Sequence, residues 1–278
     1  REALTGVKPE SYESDLQSVV RPPTLCAGCP HRGFFQAIKK KKGLMINGDI
    51  GCYTLGANAP LSALDTAICM GASLSMAHGA AQAYKVAGAK TKAVGVLGDS
   101  TFFHSGITSL MDAVYNQSDS ISVILDNRIT GMTGHQENPG TGFTLMGKPA
   151  PEVDIPALVK AVGIKEENIY TVNPLHLDEV DKVLDACIAS EEPTVIITRW
   201  PCVLKKFSQQ DLDEFKGLHQ TQCHIIQDKC RNCKACVRTG CPALMSSKDD
   251  VVIDVNSCVG CTVCKQVCPF DAIEEVQR

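Results

Sequence analysis

Apolar positions along the chain switch between two periods, and the switches outline its elements. Residues 93–103, AVGVLGDSTFF, form a short β-branched run that ends in Gly-Asp-Ser and predicts a strand continuing into a helix. A second run, SISVILDN at 120–127, reads the same way. Between them HSGITSLMDAVYNQ carries Ile107, Leu110, Met111 and Val114 at helical spacing, which predicts one apolar face and hence a strand–helix–strand unit. Upstream, LMIN is strand-like and leads into GDIGCYTLG (48–56), while CMGASLSMAHGAAQAY (69–84) predicts a helix of small residues that another element can approach closely. Downstream come a Gly-rich loop over 126–142, helices near 155–162 and 177–190, and the buried strand PTVIITR at 193–199. The alternation predicts a doubly wound α/β domain over residues 21–204. Residues 205–222 read as a linker, 223–278 as a small second domain, and the polar, weakly patterned 1–20 as an N-terminal remnant or linker.

Composition changes this picture little. A chain of 278 residues, 44% hydrophobic, can bury a sizeable core. The formal charge of -4 and the lack of a basic stripe argue against nucleic acid as a partner. KKKK at 39–42, followed by Gly43, reads as a helix C-terminus with its cations on the dipole. No apolar stretch is long enough to predict a membrane span, and with no leader the expected location is cytoplasmic. Arg1 in place of Met reads as the back part of a longer polypeptide. Fifteen cysteines in such a chain suit metal or cluster ligation better than disulfides.

Most of those cysteines stand at the end of the chain. CRNCKACVRTGCP and CVGCTVCKQVCP repeat C-x2-C-x2-C followed by C-P at a period of 28 residues. In bacterial ferredoxins the fourth cysteine of such a run ligates the other cluster. One 4Fe-4S cluster is therefore expected on Cys230, Cys233, Cys236 and Cys268, and another on Cys258, Cys261, Cys264 and Cys241. The first half carries four residues, 237–240, where three are usual, and Gly240 can absorb the extra one in a turn. A pair of zinc sites is the competing reading, though zinc sites usually include His or end in paired cysteines. Cys223, Cys69 and Cys187 read as ordinary buried thiols.

Asp99 and Asn127 fall at the carboxyl ends of two neighbouring parallel strands, where open α/β sheets bind ligands. Hard oxygen ligands there suit Mg2+ holding a diphosphate, and the helix start after Ser100 offers free N–H groups. Gly98-Asp99-Ser100, then 25 residues, then Asp126-Asn127 resembles the thiamine diphosphate motif, with Ser100 in place of its third glycine.

With RPPTLCAGCPHRG, GDIGCYTLG, GDSTFFHSGI and a ferredoxin module placed after the thiamine domain, the chain resembles the 2-oxoacid:ferredoxin oxidoreductases over about residues 21–278, and among them the α subunit of the indolepyruvate type. The resemblance implies an α/β fold: a doubly wound thiamine diphosphate-binding (pyrophosphate) domain followed by a small α+β bacterial-type two-cluster ferredoxin domain. It implies Mg2+ held by Asp99, Asn127 and the Ile129 carbonyl, and a cofactor lined by Ile50, Gly51, Cys52, Tyr53, Gly98, Ser100, Thr101, Gly131 and Met132. The chemistry implied is oxidative decarboxylation of an arylpyruvate, with electrons passed through clusters to ferredoxin and the acyl group to coenzyme A. It further implies a second (β) subunit and a pyrimidine-binding domain, with its activating glutamate, on an N-terminal part outside this sequence, so that the fragment alone would not turn over. His31 and His104, with His135, lie in or beside these motifs, and the first two are the candidate catalytic groups.

Cys26 and Cys29 remain. With Cys52 and Cys202 they are expected to hold a third 4Fe-4S cluster beside the thiamine site, shortening the first electron hop. A zinc site, a redox-active C-x-x-C and plain buried thiols are the alternatives. At the level of the whole protein, another 2-oxoacid such as pyruvate or a branched-chain acid, or a non-catalytic electron-transfer subunit, compete with the arylpyruvate enzyme.

Overall fold

The structure is a computed structural model that describes residues 2–8, 14, 15, 17, 20 and 22–278. Its helices are α1 (Glu2–Thr5), α2 (His31–Ile38), α3 (Ser73–Ala87), α4 (Asp99–Thr101), α5 (Ile107–Tyr115), α6 (Ile155–Val162), α7 (Leu177–Ala189), α8 (Gln209–Glu214) and α9 (Val263–Gln266). Six strands, β1 (Leu44–Gly48), β2 (Thr66–Ala67), β3 (Lys92–Gly98), β4 (Ile121–Asp126), β5 (Ile169–Val172) and β6 (Thr194–Arg199), make one sheet in the order β2-β1-β3-β4-β6-β5. Every pairing in it is parallel. β3 and β4 are buried at every position, as strands covered by helices on both faces must be. Alternate residues feed two cores. Val94, Val96, Val123 and Leu125 meet Phe34 and Ile38 of α2 and Leu184 of α7, while Leu97, Ile124 and Ile197 meet Leu74, Leu110 and Val159 of α3, α5 and α6.

The strand order reverses at β1/β3. The carboxyl ends of those strands therefore diverge into separate connections and leave a crevice, the usual ligand position in such sheets.

The second unit is built from β7 (Thr221–Ile225) paired antiparallel with β10 (Ile273–Gln277), and the hairpin β8 (Leu244–Ser246) with β9 (Val251–Ile253). It starts at Thr221, slightly before the expected 223, because β7 needs the extra residues to pair with Gln277. Gly240 takes φ +72 and terminates the turn Val237–Thr239, accommodating the longer spacing.

The two units are packed together. Gly28 turns at φ +70 within Cys26–Cys29, and a Cβ there would lie 2.1 Å from Val259 Cγ2 in the loop after Cys258. Leu175 and Leu177 share an apolar cluster with Val263, and the Gln266 amide accepts from Leu177 N at 3.0 Å and donates to Leu175 O at 2.7 Å. The connection over 205–222, expected as a linker, is a packed strap instead: Ser208 caps α8, a buried Lys205–Asp211 ion pair of 2.7 Å anchors it, and Phe215 stacks edge-on against Trp200. Two smaller expectations also fail. Met111 is 53% exposed, because the buried face of α5 is centred on Leu110 and Ala113 and Met111 lies about 100° round from Leu110. Cys69 is exposed, since it sits in the turn before α3 and outside the helix face.

Gly28→Ala should loosen the junction: the left-handed backbone alone costs about 1–2 kcal/mol for an alanine. Limited proteolysis should cut the strap over 205–222 faster in the variant than in the wild type; equal rates would show that this contact does not hold the units together.

Candidate functional site

A cleft of about 140 Å³ opens at the carboxyl ends of β1, β3 and β4. Ile50, Gly51, Cys52, Tyr53, Gly98, Asp99, Ser100, Thr101, Asn127, Ile129, Gly131 and Met132, all singled out in the sequence, line it together with His31. β3 stops at Gly98, where a Cβ would lie 2.6 Å from the Tyr53 ring, and the chain passes through α4 and a π-helical turn (Phe102–Gly106) into α5. Tyr53 Oη reaches the Ile50 carbonyl at 2.9 Å and Thr101 Oγ1 at 2.8 Å, joining the loops after β1 and β3.

Asp99 is buried. Ser100 N donates to its Oδ1 at 2.8 Å and Asn138 Nδ2 to its Oδ2 at 3.0 Å. Burial, then the nearby charge of Asp126, push its carboxyl up to about 8, an environment that calls for a cation if the group is to stay ionised. Asn127 Oδ1 lies 2.6 Å from the Ile129 carbonyl oxygen and 3.3 Å from Asp99 Oδ1. Three oxygens face one another there. Turning the amide over would make Nδ2 a donor to both, and a hard divalent cation among the three would serve as well. A carboxylate, an amide oxygen and a carbonyl are the donors Mg2+ takes, so these residues fit it. Opposite, His31 Nε2 is 3.5 Å from Asn127 Nδ2. Burial lowers the His31 pKa to about 4, so its ring is neutral at physiological pH, with one N–H and one lone pair.

One buried group went unread in the sequence. Asp49 accepts from Ile50 N at 2.7 Å, Gly71 N at 2.8 Å and Ser73 N at 3.0 Å, binding the loop after β1 to the start of α3. The signal was present: Gly48-Asp49 follows a strand just as Gly98-Asp99 does. Asp126 turns away from the cleft and accepts from Arg128 N at 3.1 Å and Arg199 Nη1 at 3.4 Å.

Cys52 lines this cleft, and three thiols from distant segments, Cys26, Cys29 and Cys202, come near it. Cys29 N donates to Cys26 O at 3.1 Å in the C-x-x-C turn, and Cys202 N donates to Asn127 O at 2.9 Å, which ties the segment after β6 to the end of β4. Burial raises Cys29, and Cys202 and Cys26 add to the rise. Burial likewise raises Cys52, again with Cys202 and Cys26 contributing, so Cys202 and Cys26 lie within electrostatic reach of both Cys29 and Cys52. His135 Nε2 stands 3.9 Å from Cys202 Sγ. In the second unit Cys241, Cys258, Cys261 and Cys264 line one cavity, and Cys230, Cys233, Cys236 and Cys268 line another. The fourth cysteine of each run thus sits with the other run. Among the described residues no three His, Cys, Asp or Glu side chains converge as one metal ion requires. Four thiols around one cavity, three from one run and one from the other, are the ligand set of a bacterial-type cluster. His104, expected in the site, is exposed on the π-helical turn and does not line the cleft, because that turn directs it to solvent.

Residues 49–198 match the model of the thiamine pyrophosphate enzyme, C-terminal TPP binding domain, and residues 251–274 that of the 4Fe-4S binding domain. The chain belongs to the thiamine pyrophosphate enzymes. It is similar to the indolepyruvate oxidoreductase subunit IorA of Archaeoglobus fulgidus, with 39% identity over 97% of this chain and 42% of that protein. The IorA subunit of Thermococcus kodakarensis is also 39% identical, over 97% of this chain and 43% of the relative. The chain therefore spans less than half the length of these curated relatives. In fold it is similar to a solved 2-oxoglutarate:ferredoxin oxidoreductase from Magnetococcus marinus, with a TM-score of 0.58 and 16% identity over 76% of this chain and 74% of that one.

Tyr53→Phe removes the hydroxyl that joins the two loops. At about 1 kcal/mol for a net hydrogen bond, thiamine diphosphate affinity of the full-length chain should fall about fivefold, read by equilibrium dialysis. Unchanged affinity would mean that packing alone sets the loops.

Proposed function

We propose that this chain is the thiamine diphosphate and electron-transfer part of a 2-oxoacid:ferredoxin oxidoreductase acting on arylpyruvates such as indolepyruvate. The observation that carries the reading is the arrangement of thiols: Cys52 belongs both to the cofactor cleft and to the quartet with Cys26, Cys29 and Cys202, and the Gly28 turn of that quartet touches Val259 beside Cys258. That is a continuous route from cleft to ferredoxin module. The net reaction is 2-oxoacid anion plus coenzyme A giving acyl-coenzyme A, carbon dioxide, one proton and two electrons. Thiamine diphosphate, when bound, supplies the carbon nucleophile that permits decarboxylation.

The chain's own residues anchor and orient. Asp99, Asn127 and the Ile129 carbonyl would hold Mg2+, which would supply the positive charge that the diphosphate needs. Ile50, Gly51, Cys52, Tyr53, Gly98, Ser100, Thr101, Gly131 and Met132 would line the cofactor, and neutral His31 offers its N–H or lone pair within the same cleft. The pyrimidine end and the activating glutamate belong to an N-terminal domain, and a second subunit completes the enzyme. The indolepyruvate preference rests on the names of the relatives. Ferredoxin as acceptor is supported by the outer surface: a groove lined by Lys39, Lys40, Arg238 and Cys268 contains no acidic side chain, and Lys39 is held below its ordinary range by burial and by Lys40 and Arg238. Its cations suit an acidic carrier protein at the edge of the Cys230, Cys233, Cys236, Cys268 quartet.

Two measurements on the anaerobically purified full-length complex test the reading. Cys26→Ser with Cys29→Ser should lose about four iron atoms per chain, one cubane's worth, and keep thiamine diphosphate; unchanged iron, or zinc in its place, would refute the third cluster. Asp99→Ala should abolish retention of thiamine diphosphate at unchanged iron content, and retention at the wild-type level would remove Asp99 from the cation site. Relative rates with indolepyruvate, phenylpyruvate and pyruvate decide the substrate.

A further inference from the structure

Among the described residues the buried lysines and arginines have acidic partners, with one exception. Arg128 pairs with Glu152 at 2.7 Å, Lys205 with Asp211 at 2.7 Å and Lys92 with Asp119 at 3.2 Å. Arg32, 1% exposed on the first turn of α2, forms none of the ion pairs found among the described residues. Its Nη1 donates to the Thr239 carbonyl at 2.8 Å, its Nη2 donates to the Leu25 and Cys26 carbonyls at 2.7 and 3.0 Å, and its Nε has no partner. Carbonyl dipoles orient a guanidinium but do not cancel its charge, and an uncompensated buried charge is costly.

The surroundings show where compensation can come from. Arg32 lines the cavity of Cys241, Cys258, Cys261 and Cys264, and the same side chain holds the carbonyl of Cys26 in the C-x-x-C turn, while the Arg32 backbone N donates to Cys29 O at 3.1 Å. It is thus wedged between two thiol quartets. It has no place among the residues lining the third cavity, that of Cys230, Cys233, Cys236 and Cys268.

Building on the cluster assignment above, we propose that Arg32 is a tuning residue that balances the negative charge of the two inner iron–sulfur clusters at once and raises both their reduction potentials. Each reduction adds one electron to a cluster, so a fixed cation beside it favours the reduced form over the oxidised one. The same charge therefore makes the clusters on either side better acceptors for electrons leaving the cleft. The outer cluster, away from Arg32, keeps its own potential.

The test is a redox titration followed by electron paramagnetic resonance on anaerobically purified full-length complex, wild type against Arg32→Met and Arg32→Lys. The transition missing from the Cys26→Ser plus Cys29→Ser variant identifies the innermost cluster. In Arg32→Met two of three transitions should become harder to reduce by about tenfold in the equilibrium, about 59 mV for a one-electron couple, while the third stays put. Arg32→Lys, which keeps the charge but not the fork, should recover more than half of that shift. No shift in an Arg32→Met protein of full iron content, or an equal shift in all three transitions, overturns the proposal. If Arg32→Met loses iron, Arg32→Gln takes its place; if Gln also loses iron while Lys keeps it, the need for charge is upheld, and loss in all three assigns Arg32 to packing alone and overturns the proposal. A wild-type complex without three cluster transitions would instead bring down the cluster assignment itself.

Discussion

The cofactor cleft of this chain follows from parallel strands ending on one edge. A parallel strand cannot return by a hairpin, so each one ends where a loop must leave for a helix, and all such ends face the same way. Burial on both faces fixes the register of β3 and β4, and with it the positions of Asp99 and Asn127 at their ends. Once these two are set, the oxygens that face each other across the cleft, the Tyr53 bridge and the approach of Cys202 to Asn127 all follow from short connections. Side chains on that edge need little reach because the backbone has delivered them.

Where the signal was local, the sequence was legible. β-branched runs marked β3, β4 and β6, and the C-x2-C-x2-C spacing separated the eight terminal cysteines into two sets, each around its own cavity in the fold. What stayed hidden depended on long-range packing. Asp49 acts through backbone amides of residues more than twenty positions away, and its pattern, a lone Gly-Asp, is common in turns. Arg32 looks like any cation in an amphipathic helix until Thr239, 207 positions later, is seen to accept from it. His104 was misplaced because the π-helical turn shifts the register of side chains just after Thr101, something no apolar period reports. The strap over 205–222 is rich in polar residues and so reads as linker, yet its polar groups are spent on a cap and a buried ion pair.

Joining the two units rigidly has a use of its own. Electron transfer is steeply distance-dependent, and a module on a flexible tether would spend most of its time out of range. The Gly28–Val259 contact sets the Cys258 loop against the C-x-x-C turn, the Gln266 amide ties α9 to Leu175 and Leu177, and among the described residues no ion pair that salt could screen joins the two units.

The cationic groove also makes the molecule electrically lopsided. The chain as a whole is negative by four formal charges, yet Lys39, Lys40 and Arg238 gather on one face with no acid beside them. The local charge of this groove favours an acidic visitor there and helps to turn it before contact forms. Encounters of this kind are fast and short-lived. That suits a carrier which must take one electron, leave, and be replaced by another before the second can follow.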